Sequence, residues 1–110
     1  MFEIFQSEKN EKYYFHLKAR NGQVILVSQG YTDKSSARKG VESVKTHAGD
    51  ESRFERKTAS NGKFHFNLKA SNGQIIGSSQ MYTSEAGLEN GIDSVMNHAT
   101  DADIRDLTTA

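Results

Sequence analysis

The sequence predicts an α+β domain in which two tandem copies of a strand–strand–strand–helix–strand unit share one sheet and one core. Three observations carry that expectation: a long internal repeat, an Asn-Gly hairpin signal in each copy, and a helix-period apolar stripe in each copy. The repeat comes first, because missing one misreads the whole fold. Lys12-Tyr13-Tyr14-Phe15-His16-Leu17-Lys18-Ala19-Arg20-Asn21-Gly22-Gln23 recurs as Lys63-Phe64-His65-Phe66-Asn67-Leu68-Lys69-Ala70-Ser71-Asn72-Gly73-Gln74. Ser28-Gln29-Gly30-Tyr31-Thr32 parallels Ser79-Gln80-Met81-Tyr82-Thr83, and Gly40-Val41-Glu42-Ser43-Val44 parallels Gly91-Ile92-Asp93-Ser94-Val95. About half of the aligned positions are identical at a period of roughly 51 residues. Two copies make a duplication and no solenoid. With 110 residues in all, the expected arrangement is one domain of two repeats, 1–52 and 53–110; a unit of about 50 residues buries too little surface alone.

Residues 2–6 (Phe-Glu-Ile-Phe-Gln) read as a first strand. From Lys12 to Arg20 the alternation is clearer, with Tyr13, Phe15, Leu17 and Ala19 on one face and Tyr14, His16, Lys18 and Arg20 on the other. Asn21-Gly22 then predicts a two-residue type I′ turn into a returning strand, and Asn72-Gly73 does the same in the second copy. Thr32 or Asp33, and Thr83 or Ser84, are candidate helix N-caps. Ala37, Val41, Val44 and Ala48 follow at i, i+4, i+7 and i+11, and Leu88, Ile92, Val95 and Ala99 repeat the stripe. Gly40 and Gly91 interrupt both helices, where Gly costs about 1 kcal/mol against Ala; the shared exception predicts close helix–sheet contact there. Arg53 to Thr58 reads as a strand that closes the first copy and opens the second, and Ile104 to Thr108 as its C-terminal counterpart.

The doubled Lys-Ala-x-Asn-Gly-Gln hairpin, the Tyr-Thr helix start and Gly-(Val/Ile)-(Glu/Asp)-Ser-Val in the helix resemble the YegP-like family of small uncharacterised bacterial proteins. The resemblance covers nearly the whole chain. It implies a single antiparallel β-sheet from two β3-α-β repeats, with both helices on one face and the C-terminal strands exchanged between repeats. It implies further that single-copy members dimerise into the same structure. It brings no activity, so no catalytic residue is carried over.

Composition narrows the chemistry. The chain has no cysteine, which excludes disulfides, thiolate metal sites and cysteine nucleophiles. No apolar run approaches the ~20 residues of a membrane span, and residues 1–5 lack the pattern of a signal peptide. A cytoplasmic protein with no membrane association is expected. Lys plus Arg and Asp plus Glu each number 14, giving a formal net charge of zero. The zero averages two unlike repeats: residues 1–50 carry eight basic and six acidic side chains, the remainder six and eight.

Two-residue hairpins would pair His16 with Val27 and Lys18 with Ile25, and Asn67 with Ser78 and Lys69 with Ile76, on the face away from the helices. That open face is the candidate contact surface, with Tyr14, His16, Lys18, Ile25, His65, Lys69 and Ile76. Aromatic and basic residues interleaved there suit single-stranded nucleic acid; the shared isoleucines suit a protein partner. A plainly solvated sheet face is the bland alternative, and the neutral total charge disfavours the nucleic-acid reading. Ser43, His47 and Asp50, repeated as Ser94, His98 and Asp101, invite a triad reading. The bland account covers them: the His suits the helix C-terminal dipole and the Asp the exit turn. The four histidines have no metal-ligand spacing. No catalytic residue, cofactor or metal is expected. Tyr31 and Tyr82, between hairpin and helix, suggest a pair of symmetry-related grooves. The expected function is a non-enzymatic binding or protein-interaction module using the open sheet face, with weak single-stranded nucleic-acid binding second and an enzyme of unknown reaction third. A duplication that replaces a dimer predicts a monomer.

Overall fold

A computed structural model describes residues 1–108. Its chain order is β1 (Phe2–Gln6), β2 (Tyr13–Lys18), β3 (Val24–Val27), α1 (Lys34–His47), β4 (Phe54–Thr58), β5 (Phe64–Lys69), β6 (Ile75–Ser78), α2 (Glu85–Ala99) and β7 (Ile104–Asp106). The strands form one sheet in the order β4-β5-β6-β3-β2-β1-β7. Asp33 and Ser84 are the helix N-caps: their side chains accept from the Ser36 N–H at 2.7 Å and the Gly87 N–H at 3.0 Å. Both predicted apolar stripes are buried, and with Phe2, Ile4, Phe15, Leu17, Leu26, Phe54, Phe66 and Leu68 they form one continuous core.

The sheet is mixed, where an antiparallel one was expected. β7 lies parallel to β1, with Phe2 opposite Ile104 and Ile4 opposite Asp106. The expected strand exchange is also half realised. The strand after α1 is β4, which among the described residues pairs with β5 alone and so only opens the second repeat. The strand after α2 crosses to the edge of the first repeat. A helix between β6 and β7 reverses the chain so that β7 arrives running with β1, an orientation that no local pattern in three residues encodes.

A second correction concerns the hairpins. The Gly22 N–H donates to the Ala19 carbonyl at 3.0 Å, and the Ala19 N–H to the Gln23 carbonyl at 2.9 Å. Only Gly22 of the pair has positive φ, at 83°. This is a longer loop closed by a glycine bulge, and the second copy repeats it at Gly73 with φ 85°. The register therefore slips between Leu17 and Lys18, so Lys18 opposes Val24, and Lys69 likewise opposes Ile75. Ile25 and Ile76 become the extra residues and turn toward the helices, where they are 5% and 6% exposed. One residue of slip moves a side chain to the other face.

The helices do lie close on the sheet at their glycines. A Cβ on Gly40 would sit 2.5 Å from the Tyr31 hydroxyl and 2.7 Å from the Phe15 ring, and one on Gly91 would collide with Tyr82. Tyr31 stacks on Phe15 at 6.2 Å and Tyr82 on Phe66 at 6.4 Å, so each glycine admits a tyrosine lying flat beneath the helix. Burial pushes the Tyr31 hydroxyl pKa up.

Candidate functional site

The face away from the helices is built by alternate residues of every strand. From β2 come Tyr14, His16 and Lys18, and from β5 come His65, Asn67 and Lys69, as the alternation predicts. Between them, β3 and β6 meet at a single residue pair, Val27 opposite Ser78. The apolar residues that β3 and β6 place on this face are Val24, Val27 and Ile75, one position before the isoleucines or beyond the bulge. Val27 is 41% exposed and Ile75 40%. The two isoleucines expected here, Ile25 and Ile76, lie on the opposite face, and Val27 and Ile75 are the exposed apolar side chains in this position.

Each half of this face is organised by a glutamate outside the expected contact residues. Glu3 on β1 is buried, and its Oε1 takes His16 Nε2 at 2.6 Å and Lys18 Nζ at 3.0 Å. Arg105 on β7 approaches Oε2 at 3.7 Å. These bonds, led by His16 and then Lys18, hold the Glu3 carboxyl below its usual pKa. In the second half Glu55 occupies the equivalent place. Its carboxylate accepts from Lys69 Nζ at 2.9 Å and Asn67 Nδ2 at 3.3 Å, and Lys57 lies at 3.8 Å. Lys69 and Asn67 keep this carboxyl below its usual pKa as well. Ser78 Oγ donates to Asn67 Oδ1 at 2.7 Å, carrying the chain of bonds to the centre of the sheet. The glutamates were legible only as charged residues in alternation; the available signal was a lysine two positions on from the residue opposite each carboxylate, Lys18 for Glu3 and Lys69 for Glu55.

The remaining predicted residues separate. Tyr14 stacks on Phe5 at 5.8 Å and accepts from Asn10 Nδ2 at 2.9 Å, while Phe5 also contacts the His16 ring at 5.0 Å. His65 lies across from Lys57, and its buried Nδ1 has no hydrogen-bond partner among the described residues. Ile25 and Ile76 line two grooves on the helix side. One, of about 260 Å³, is bounded by Tyr31, Gly40, Ser43, Asn72, Gln74 and Ile76. The other, of about 180 Å³, is bounded by the equivalent Tyr82, Gly91, Ser94, Asn21, Gln23 and Ile25. Each groove therefore sets the helix of one repeat against the hairpin of the other.

The Ser-His-Asp constellation does not assemble as a relay. His47 Nδ1 lies 2.8 Å from the Ser43 carbonyl oxygen, which can only accept, so Nδ1 carries the proton. Its Nε2 accepts from the Ser71 backbone N–H at 3.3 Å. That tautomer leaves no free lone pair to take a proton from the Ser43 hydroxyl. Asp50 instead binds the Ser52 N–H at 3.0 Å and hydroxyl at 2.6 Å. His98 Nδ1 meets the Ser94 carbonyl oxygen at 2.7 Å in the same way. The histidine thus ties one repeat's helix to the other repeat's hairpin. Among the described residues no group of three His, Cys, Asp or Glu side chains could hold a metal ion. No described helix is long and apolar enough to cross a membrane.

Comparison with known proteins locates this architecture. A family model described as a domain of unknown function, DUF1508, matches residues 8–55 and again 59–106. A UPF0339 protein from the 5′ region of the ptx operon in Stutzerimonas stutzeri is 54% identical over 103 residues, covering 94% of this chain and 92% of its own. The UPF0339 protein YegP of Escherichia coli K12 is 52% identical over 107 residues, 97% of this chain and 96% of its own. The solution NMR structure of the E. coli yegP protein, a protein of unknown function, matches with a TM-score of 0.92 at 50% identity. It covers 99% of this chain and 93% of that one. A UPF0339 protein from Shewanella oneidensis, also solved by NMR, gives 0.91 at 50% identity over 97% and 90%.

Proposed function

The chain belongs to the DUF1508 family, in two copies, and on that premise we propose that it is a binding module that holds a protein partner against the outer face of its sheet. One observation carries the reading. The uncovered face has exposed apolar residues at its centre, Val27 and Ile75, flanked by two fixed charge clusters around Glu3 and Glu55. An apolar centre within a polar rim is the anatomy of a protein contact surface. Tyr14, His16, Lys18, His65 and Lys69 form the rim; Ile25 and Ile76 do not take part.

Single-stranded nucleic acid is the less favoured occupant. Stacked Phe5 and Tyr14 offer a ring platform, but Lys18 and Lys69 are each held by a carboxylate, and a phosphate would have to displace it. The module acts without catalysis, as a monomer in the cytoplasm. The gathering of both repeats into one sheet by a single chain, with charged Arg56 and Lys57 on its open edge strand, supports the monomer.

The test is capture from extracts of the native host, comparing the wild type with a Val27→Arg, Ile75→Arg double variant of verified fold. We expect a protein retained by the wild type and released by the variant. Equal retention by both removes the outer face from consideration. Salt-dependent binding of an oligonucleotide by the wild type, lost in the variant, would replace the protein partner with nucleic acid.

A further inference from the structure

The two repeats end their sheet differently, and the difference leaves a vacancy at one edge. In the first repeat β7 lies along β1, and the Leu107 N–H donates to the Ile4 carbonyl at 2.8 Å. Asp106 turns under α1, where its carboxylate receives Lys34 at 3.0 Å and Arg38 at 3.1 Å. In the second repeat no described strand lies outside β4. The place corresponding to the one Asp106 takes beside Ile4 and α1 is here a cavity of about 290 Å³, between Arg56 on β4, Phe64 on β5 and Leu88 on α2. The two charged helix residues facing it are Glu85 and Glu89, at the positions of Lys34 and Arg38. The sign of the charge is reversed.

From this complementarity we infer that the free edge of β4 is an acceptor site for an extended segment of another protein, added parallel to β4. That segment carries an arginine or lysine where β7 carries Asp106, followed by an apolar residue. Three features define it. The Phe54 N–H is already bonded to the Glu51 carbonyl, so the incoming strand begins at Arg56 and runs toward Thr58, alongside the cavity. The basic side chain meets Glu85, which has no ion pair among the described residues, and Glu89, which Arg56 holds at 2.6 Å. The apolar side chain covers the mouth of the cavity beside Phe64 and Leu88. Main-chain bonds supply the affinity in such additions, and side-chain pockets the selectivity.

A second copy of this chain fits poorly. Its β7 would bring Asp106 against two glutamates. Its β4, in the antiparallel register that pairs Glu55 with Lys57, would set Arg56 against Arg56, and like charges directly opposite are destabilising. The site is separate from the outer face and goes beyond the function proposed above.

The probe is a peptide of residues 102–108 of this chain carrying Asp106→Arg, with the unchanged peptide as control. Both are titrated into isotope-labelled protein and followed by amide shifts. We expect the arginine peptide to perturb the amides of Arg56–Thr58, leave Val27 and Ile75 unchanged, and bind at least about tenfold more tightly than the control. In a Glu85→Lys protein that preference should shrink or invert. Equal binding of the two peptides, or no response in β4, overturns the inference. A concentration-dependent dimer that protects β4 overturns it in favour of self-pairing.

Discussion

Ile4 and Arg56 occupy equivalent places, the third residue of the first strand in each repeat, and they meet opposite fates. Ile4 is fully buried beneath α1 with β7 along its edge. Arg56 stays at an open edge and reaches Glu89 on α2 and Glu51 in the turn before it. The strand that is covered reads Phe-Glu-Ile-Phe-Gln; the one left open reads Phe-Glu-Arg-Lys-Thr. A hydrophobic edge invites pairing with other chains, and an inward-pointing charge discourages it. The comparison teaches that the repeats share an interior and diverge at their margins, each margin's residues fitted to whether a strand lies outside it.

The sharpest way to break this comparison is to exchange the two residues. Ile4→Arg drives a charge into the core, where the carboxylate beside it, Asp106, is already taken by Lys34 and Arg38, and should cost about 3–5 kcal/mol, read as a fall in the denaturation midpoint. Arg56→Ile loses only exposed ion pairs, worth about 1 kcal/mol or less, but should make β4 self-associate, seen as a larger mass in sedimentation. If both variants lose equal stability and stay monomeric, the edges are not specialised.

A smaller effect separates the two glutamates. Glu3 is buried with its carboxyl held below the usual pKa, so its contribution is present above the ordinary glutamate range and is lost as the pH falls through the folded-state value. Glu3→Gln should cost about 1–3 kcal/mol at neutral pH and flatten the acid limb of the stability curve. Glu55→Gln, at a more exposed cluster, should alter that limb less; equal flattening would show that burial does not distinguish them.

The smallest expected effect lies in the loops before β2 and β5. Glu11 has φ 61°, and the equivalent position in the second repeat is Gly62 with φ 82°. Left-handed backbone costs a side-chain-bearing residue about 1–2 kcal/mol, partly offset by the greater freedom that glycine loses on folding. Glu11→Gly should therefore stabilise by about 0.5–1 kcal/mol, and thermal melting should show it. A lower melting temperature would mean that Glu11 makes a compensating contact.

Much of the fold is written in local pattern. Ala37, Val41, Val44 and Ala48 face the core as their spacing requires, and Gly40 sits where the helix meets Tyr31 and Phe15. The face assignment of His16, Lys18, His65 and Lys69 follows from alternation along strands that have no interruption. Ile25 and Ile76 were misplaced because Asn-Gly serves both a two-residue turn and a bulged loop, and the choice moves the next residues by one. β7 was misread because its direction is set by α2 and its partner lies at the other end of the chain. The glutamate anchors escaped notice because a carboxylate's partners belong to neighbouring strands and appear only when the register is known.

The parallel arrangement of β1 and β7 has a mechanical consequence. Tension entering before Phe2 and leaving after Asp106 pulls these neighbouring strands along their length in opposite senses. Their hydrogen bonds, with those of Lys34 and Arg38 to Asp106, are loaded together in shear. An antiparallel β7 would place the pulling points at the same end and peel away one pair at a time. The short last strand thus fastens the molecule like a lap joint, resisting at once along its whole overlap.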